Sequence, residues 1–432
     1  MYMQTASKKV VNGWAMYDWA NSVYNLVITT TFFPAYYAAV TSIKNFPKGV
    51  PVFGWHFNNT SLKDYTLSLG FLIIAILSPV LSSIADYKGN KKNFMRFFCY
   101  LGALSCSLMF FFDKDHVGLG LLCFMLAAIG FYGSQVFYNS YLPEIAAESD
   151  QDRISAKGYA YGYVGSVLMQ LIAFAIVLAM PDSSLPLKIT FLLVGIWWVA
   201  FAQITFNVLP TSSKVERKAR KNVFTNGFHE LGIVWKQLIH LPELKRFLLA
   251  FWFYSMGVQT VMLVGIDFGI KVIHLADAKL IIAAVVIQLV AIIGAFGMSK
   301  LSKSYGNIQV LLATVILWIG VCVTAYFITT EIQFYILASL IGLVMGGIQS
   351  LSRSTYSKLM PETKDTAPFF SFYDVTEKMA LVIGLFSFGL VEELYSMRNS
   401  LLILIGFFIL GFIFLLLTLL AKRKASDPYV VK

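Results

Sequence analysis

The chain has 432 residues, of which 58% are hydrophobic and only 13% charged, with a formal net charge of +11. Soluble domains carry about 25% charged residues, and at a mean hydropathy of +0.70 a fold of this length has more apolar surface than it can hide, which excludes a water-soluble enzyme or binding module. The apolar runs last about 20 residues without the alternation of barrel strands, so the fold class is an all-α membrane protein.

The basic balance does not point to nucleic acid. Lys and Arg lie between the apolar runs, with no continuous basic face interleaved with stacking aromatics. The four cysteines, Cys99, Cys106, Cys123 and Cys322, sit inside apolar runs without metal spacing, and are expected as small packed hydrophobes. No cleavable leader is expected, because the first run carries Asp18 and Asn21 and lacks a small-residue cleavage site.

Twelve spans are predicted, at 15–40, 64–85, 93–112, 118–141, 158–180, 187–209, 246–272, 277–299, 308–328, 333–353, 371–393 and 400–421. With a cytoplasmic N-terminus, the 34 Lys and Arg favour the inner connections by about three to one, which places both termini in the cytoplasm. The first span opens with "YDWANSVYN", and at helical periodicity Asp18, Asn21, Ser22, Asn25 and Thr29 fall on one arc. Facing lipid would be costly for such a stripe. It either bonds a helix bundle together or lines a hydrated path, and the clustering on one face favours the path.

The second span ends in "SSIADYKGNKK", with Asp86, Gly89, Lys91 and Lys92. The fourth span places Gln135 and Asn139 one turn apart, and the fifth presents Tyr159, Tyr163, Ser166 and Gln170 as a stripe. Gly158 and Gly162 on the fifth span, and Gly342 and Gly346 on the tenth, mark close helix contacts. Residues 210–245 form the longest inner connection, a basic run followed by an amphipathic helix that presents Phe224, Phe228, Leu231, Val234, Trp235 and Leu238. It separates a six-span bundle at 1–209 from a second at 246–432. On the seventh span Ser255 and Gln259 are one turn apart, and Asp267 and Lys271 are expected to pair locally. Gln288 is central in the eighth, which ends in "SKSYGNIQ", a second copy of the Asp86 loop with Lys303 and Gly306 in the equivalent places. Arg353 ends the tenth span, and Asp374, Glu377 and Lys378 gather at the inner end of the eleventh.

By depth, Asn25, Gln170, Gln259 and Gln288 are the midplane candidates. Neutral amides and hydroxyls suit a polar or zwitterionic solute. The ionisable groups Asp18, Asp86, Arg353, Asp374, Glu377 and Lys378 concentrate toward the cytoplasmic side. Such charges either form a permanent cluster or pair and separate as a gate. Proton coupling requires a carboxylate that alternates between wet and dry settings, and Asp18, Asp374 and Glu377 are the candidates. The five histidines (56, 116, 229, 240 and 274) lie outside the spans or at their ends. With no HExxH or Walker loop, neither a metal or other cofactor nor ATP hydrolysis is expected.

The loop "SSIADYKGNKK" resembles the motif that follows the second span in the major facilitator superfamily. The pieces "YDWANSVYN", "FYNSYLPEIA", "GYAYGYVGS", "GGIQSLSRSTYSKLMP" and "FFSFYDVTEKMA", in that order, resemble its small branch whose fungal members include the autophagy-related vacuolar amino-acid effluxer. Ser82, Tyr87 and Asn90 depart from the usual loop pattern. The resemblance implies two pseudo-symmetric six-helix halves and proton-linked transport of a small solute, amino acids first, with the Asp86 loop packed near span eleven. Three readings stand: that transporter, with lipid around it and a monomeric state expected; a drug or metabolite exporter of the same fold; and a membrane enzyme acting on lipid-linked substrates. The Gly-Pro motif of many drug antiporters is missing from span five. No set of paired carboxylates with His supports the enzyme. A bacterial inner membrane is the expected location, with a vacuolar membrane as the alternative.

Overall fold

In hydrocarbon a backbone must satisfy its N–H and C=O groups within its own segment, and each long apolar run is accordingly helical. The computed structural model describes residues 4–52, 54–88, 90–180, 184–211, 223–363 and 366–426. The helices are α1 (Lys8–Val23), α2 (Phe33–Val40), α3 (Asn59–Lys88), α4 (Lys91–Leu108), α5 (Val117–Ser140), the single turn α6 (Leu142–Ile145), α7 (Gln151–Ala179), α8 (Leu185–Val208), α9 (Val223–His240), α10 (Pro242–Lys271), α11 (Asp277–Tyr305), α12 (Asn307–Phe327), α13 (Glu331–Leu359), α14 (Thr366–Leu394) and α15 (Met397–Ser426). The first outer connection holds a small hairpin, β1 (Val50–Val52) paired antiparallel with β2 (Trp55–Phe57).

Among the described residues, ten helices are long and apolar enough to cross a membrane. The other two expected spans are helical but of a different kind. Segment 371–393 lies on α14, which carries Asp374, Glu377 and Lys378. Segment 15–40 is α1, a π-helix over Tyr24–Phe32, and α2 in one run. Pro34 explains the wide turns. It has no N–H and crowds the preceding turn, so the amide of Phe33 reaches back five residues to the Ile28 carbonyl. Thr30 and Thr31 brace the same register, each donating its hydroxyl to the carbonyl five residues earlier (Asn25 and Leu26, both 2.9 Å).

The chain packs as two compact units, one of Met1–Ala6, Tyr141–Ala160 and Phe228–Lys432, the other of Ser7–Ser140 and Tyr161–Gly227. In the second, α4 packs on α5 and α8, α1 on α8, and α3 on α5. In the first, α11 packs on α13, α10 on α14 and α15, and α12 on α15. Many large apolar side chains remain exposed, among them Leu72, Ile76, Leu104, Ile293 and Phe386. Water does not tolerate such a surface, and acyl chains do. In the connecting helix α9, Val234 and Leu238 are buried while Trp235 is exposed beside the Phe372 ring. The side chains of Phe224, Phe228 and Leu231, and the basic run before them, lie outside the described residues.

Gly306, at φ +88° and ψ 152°, takes an extended positive-φ conformation, open essentially to glycine alone, that joins α11 to α12. Gly342 and Gly346 let α13 lie directly against α11: a Cβ on either would press on the carbonyl of Ile287 or Ala291. Packing of small residues against backbone is what drives helix association in a membrane. Gly346→Ala should therefore cost about 1–3 kcal/mol of stability, read as a lower thermal unfolding midpoint. Gly320→Ala, with open space around its Cβ, should cost nothing. Equal midpoints for the two variants would contradict this account of the α11–α13 contact.

Candidate functional site

In the π-helical segment of the first run, Tyr24, Leu26, Val27, Ile28 and Phe32 are buried, while Asn25, Thr29, Thr30 and Thr31 are partly exposed. On α5, Gly133, Ser134, Val136, Phe137 and Tyr138 are buried, and Tyr132, Gln135 and Asn139 are partly exposed on one face. A lipid-facing surface has the opposite composition, apolar outside and polar within. The accessible face of these two helices therefore has a composition suited to water or protein rather than to acyl chains. Asn21 is fully buried beside it, with no hydrogen-bond partner for its Nδ2 among the described residues, and the Oγ1 of Thr29 likewise has none. Buried polar atoms of this kind call for water or a polar solute.

Asp18 lies deeper. It is buried and accepts a hydrogen bond from the Tyr138 hydroxyl at 2.8 Å. Trp14 fixes Tyr138 in turn, stacking on its ring at 4.5 Å and donating Nε1–H to its carbonyl. On α7, Tyr163, Ser166 and Gln170 are buried and do not join the accessible face. Gln170 donates its Nε2 to Thr31 Oγ1 at 3.3 Å. Gly162 and Gly165 of the same helix admit Ser22 and the Trp19 carbonyl.

In the other unit, Gln259 of α10 donates Nε2 to Glu377 Oε1 of α14 at 2.7 Å, and both are partly exposed. Ser255 is buried one turn before Gln259. Gln288 on α11 is partly exposed, and its Oε1 has no partner among the described residues. Asp374 and Lys378, both buried, bond to each other along one turn of α14. Lys271 reaches Glu392 of α14 at 2.9 Å, with Asp267 within electrostatic reach one turn earlier on α10.

Arg353 is buried on α13, donating Nε–H to Ser155 Oγ (2.9 Å) and Nη2–H to the Ser155 carbonyl (2.8 Å) beneath the Tyr159 ring. Beside it Asp152 accepts from Lys358 Nζ (2.7 Å), Ser302 Oγ (2.8 Å) and Asn307 Nδ2 (2.7 Å). These bonds tie the first turns of α7 to the adjoining ends of α11, α12 and α13. Sequence reasoning singled out Arg353 but missed Asp152, Ser155, Asn307 and Lys358. The available signal was Asp152, Ser155 and Tyr159 at helical spacing on one face. The side chain of Asp86, and Gly89, lie outside the described residues, while Lys91 is buried at the start of α4.

Asp152 is buried and Lys358 partly exposed, so loss of the carboxylate weakens three hydrogen bonds at a cost of about 1–3 kcal/mol. Asp152→Asn should thus destabilise, and Asp152→Asn with Lys358→Met should recover part of the loss, both measured as thermal midpoints of the purified protein. A double variant as unstable as the single one would contradict the pairing.

Residues 6–427 match the family model described as "Vacuole effluxer Atg22 like". A Bacillus subtilis (strain 168) protein described as the uncharacterized MFS-type transporter YxiO is 32% identical over 421 residues, covering 94% of this chain and 95% of that one. Autophagy-related protein 22 of Yarrowia lipolytica is 23% identical, over 88% of this chain and 79% of its own. Among solved structures, the major facilitator superfamily transporter FucP in the outward conformation superposes with a TM-score of 0.70 at 16% identity, covering 95% of this chain and 97% of that one. The proton:xylose symporter XylE gives 0.70 at 12% identity, covering 94% of each chain. At these identities the structural likeness speaks for the fold. Family, relatives and fold agree: the chain belongs to the Atg22-like vacuole effluxer family and is a transporter of the major facilitator superfamily, not an enzyme.

Proposed function

We propose that the protein is a secondary active transporter that carries a small polar organic solute by alternating access, coupled to protons, with amino acids as the first candidates. The observation that carries this reading is the inverted surface of the first helical run, where Asn25, Thr29, Thr30 and Thr31 are accessible and their apolar neighbours buried. Neutral amides and hydroxyls at Asn21, Asn25, Thr29, Gln135 and Asn139 of one unit match a solute that is polar without strong net charge. A drug exporter would call for an aromatic and apolar lining, whereas the accessible positions here are amides. Proton coupling draws support from neighbours of the same fold, one of which is described as a proton:xylose symporter. In the rest of the proposal the chain is a monomer in a bacterial inner membrane, its twelve spans divided by the 210–245 connection and both termini cytoplasmic.

Two measurements check this. In a thermal-shift screen of the purified protein against amino acids, dipeptides, nucleosides and sugars, ligand at 100 times its Kd adds about 2.7 kcal/mol of stability. An amino-acid class that shifts the midpoint selectively is the expected result, and selective shifts by hydrophobic drugs alone would favour the exporter instead. Asn25→Ala and Gln135→Ala should each weaken solute transport in proteoliposomes about three- to tenfold, the loss of one neutral hydrogen bond. Unchanged kinetics in both would remove these residues from the binding face.

A further inference from the structure

A proton-coupled transporter needs a carboxylate that takes up and releases the proton, and Asp18, Asp374 and Glu377 all lie inside the helical runs. Their surroundings are not alike. Asp374 and Lys378 stand one turn apart on α14, both buried and bonded to each other. A pair whose partners ride on one helix moves as one body, so no displacement of helices can part them. Such a pair cannot alternate between a paired and an unpaired setting, and it is not a gate. Asp18 is buried and held by Tyr138, which Trp14 clamps by a stack and a hydrogen bond.

Glu377 differs from Asp18 in its exposure and from Asp374 in a partner that rides on a different helix. It is partly exposed about 17 Å along the axis from the start of α14, and its hydrogen bond crosses to another helix, from Gln259 Nε2 on α10. The charged groups within electrostatic reach are Lys378 and Asp374 of its own helix and Arg353 from α13. Tyr373 lies one turn earlier on α14, and Tyr254 is the titratable group that α10 presents nearby. On α15, which also packs against α14, Arg398 and Lys422 stand near its two ends.

Resting on the transporter reading above, we propose that Glu377 is the proton-binding carboxylate and that Gln259 is the positioning residue that serves both of its protonation states. An amide suits this task where a cation would not. Its NH2 donates to a carboxylate, and after rotation its carbonyl accepts from the O–H of a carboxylic acid. A Lys or Arg at that place would offer donors only and would hold the group ionised. The proton enters from the accessible side, adds to a Glu377 oxygen, and leaves by the same atom when the helix contact changes. No other bond is made or broken.

The test uses the full chain in proteoliposomes and a solute-free readout, the infrared C=O stretch of protonated carboxyl groups followed against pH. With 23 Asp and Glu in the chain, the band followed is the component that grows at a pH where exposed carboxylates stay ionised, and wild-type protein should show it. Glu377→Gln should remove it, and Gln259→Leu should move the pH at which it grows, whereas Asp18→Asn and Asp374→Asn should leave it in place. A second readout follows a mixture of radiolabelled amino acids under an imposed pH gradient. Glu377→Gln should lose about tenfold or more in accumulation, roughly 1.4 kcal/mol, yet keep solute exchange. Should wild-type protein move none of the amino acids, amino-acid transport fails as a reading, while the infrared band still decides on Glu377. If Glu377→Gln does not fold, the Gln259→Leu shift carries the decision. A band that survives Glu377→Gln, that ignores Gln259→Leu, or that vanishes with Asp18→Asn or Asp374→Asn overturns the proposal.

Discussion

Polar side chains inside a bilayer are tolerated only where protein or water satisfies them, and the first helical run meets that constraint in an unusual way. Pro34 withholds an amide, the turns before it widen, and Thr30 and Thr31 return their hydroxyls to carbonyls five residues back. The widened turns set Asn25 and Thr29 on the accessible side and send Tyr24, Leu26, Val27 and Ile28 inward. Local π-helix is frequent at functional sites. Here it has an identifiable cause, the proline and the threonines that follow Asn25 in the sequence, and an identifiable effect, an accessible polar strip on an otherwise apolar helix.

The charged residues divide by what they can do. Asp374 with Lys378 is a feature of one helix, whereas Asp18 with Tyr138 joins α1 to α5. Asp152 with Lys358, and Arg353 with Ser155, join separate helices. Bonds of this second kind report on helix arrangement, because they persist only while their helices stay adjacent. The Gln259–Glu377 bond belongs to this kind as well, and it alone among them joins a neutral amide to a partly exposed carboxylate.

Much of the architecture was legible in the sequence because the bilayer enforces it: runs of about 20 apolar residues have to be helices. The clustering of Asp18, Asn21, Asn25 and Thr29 was legible for the same reason, although Asp18 and Asn21 are buried and only Asn25 and Thr29 are partly exposed. Periodicity read at a regular helical pitch did not foresee the π turns, which follow from Pro34. It also grouped Tyr163, Ser166 and Gln170 with the lining, whereas those side chains are buried and Gln170 bonds Thr31. A stripe shows which residues share a face but not what that face meets. Pairings such as Asp152 with Lys358 or Arg353 with Ser155 span some 200 residues of sequence and leave no local period, so they emerged only from the fold. The pairing of Lys271 with Glu392 was likewise hidden, because Asp267 offered a nearer partner in sequence.

Cysteine accessibility along the first run tests most directly whether its polar strip meets water. The native cysteines are buried, so single replacements can be read against a quiet background. In intact membranes, Asn25→Cys and Thr29→Cys should react with a small charged thiol reagent and be protected by a transported solute, while Leu26→Cys and Val27→Cys should stay unlabelled. Labelling at positions 26 and 27 with silence at 25 and 29 would turn the strip toward lipid or protein, and the account of a hydrated path would fall.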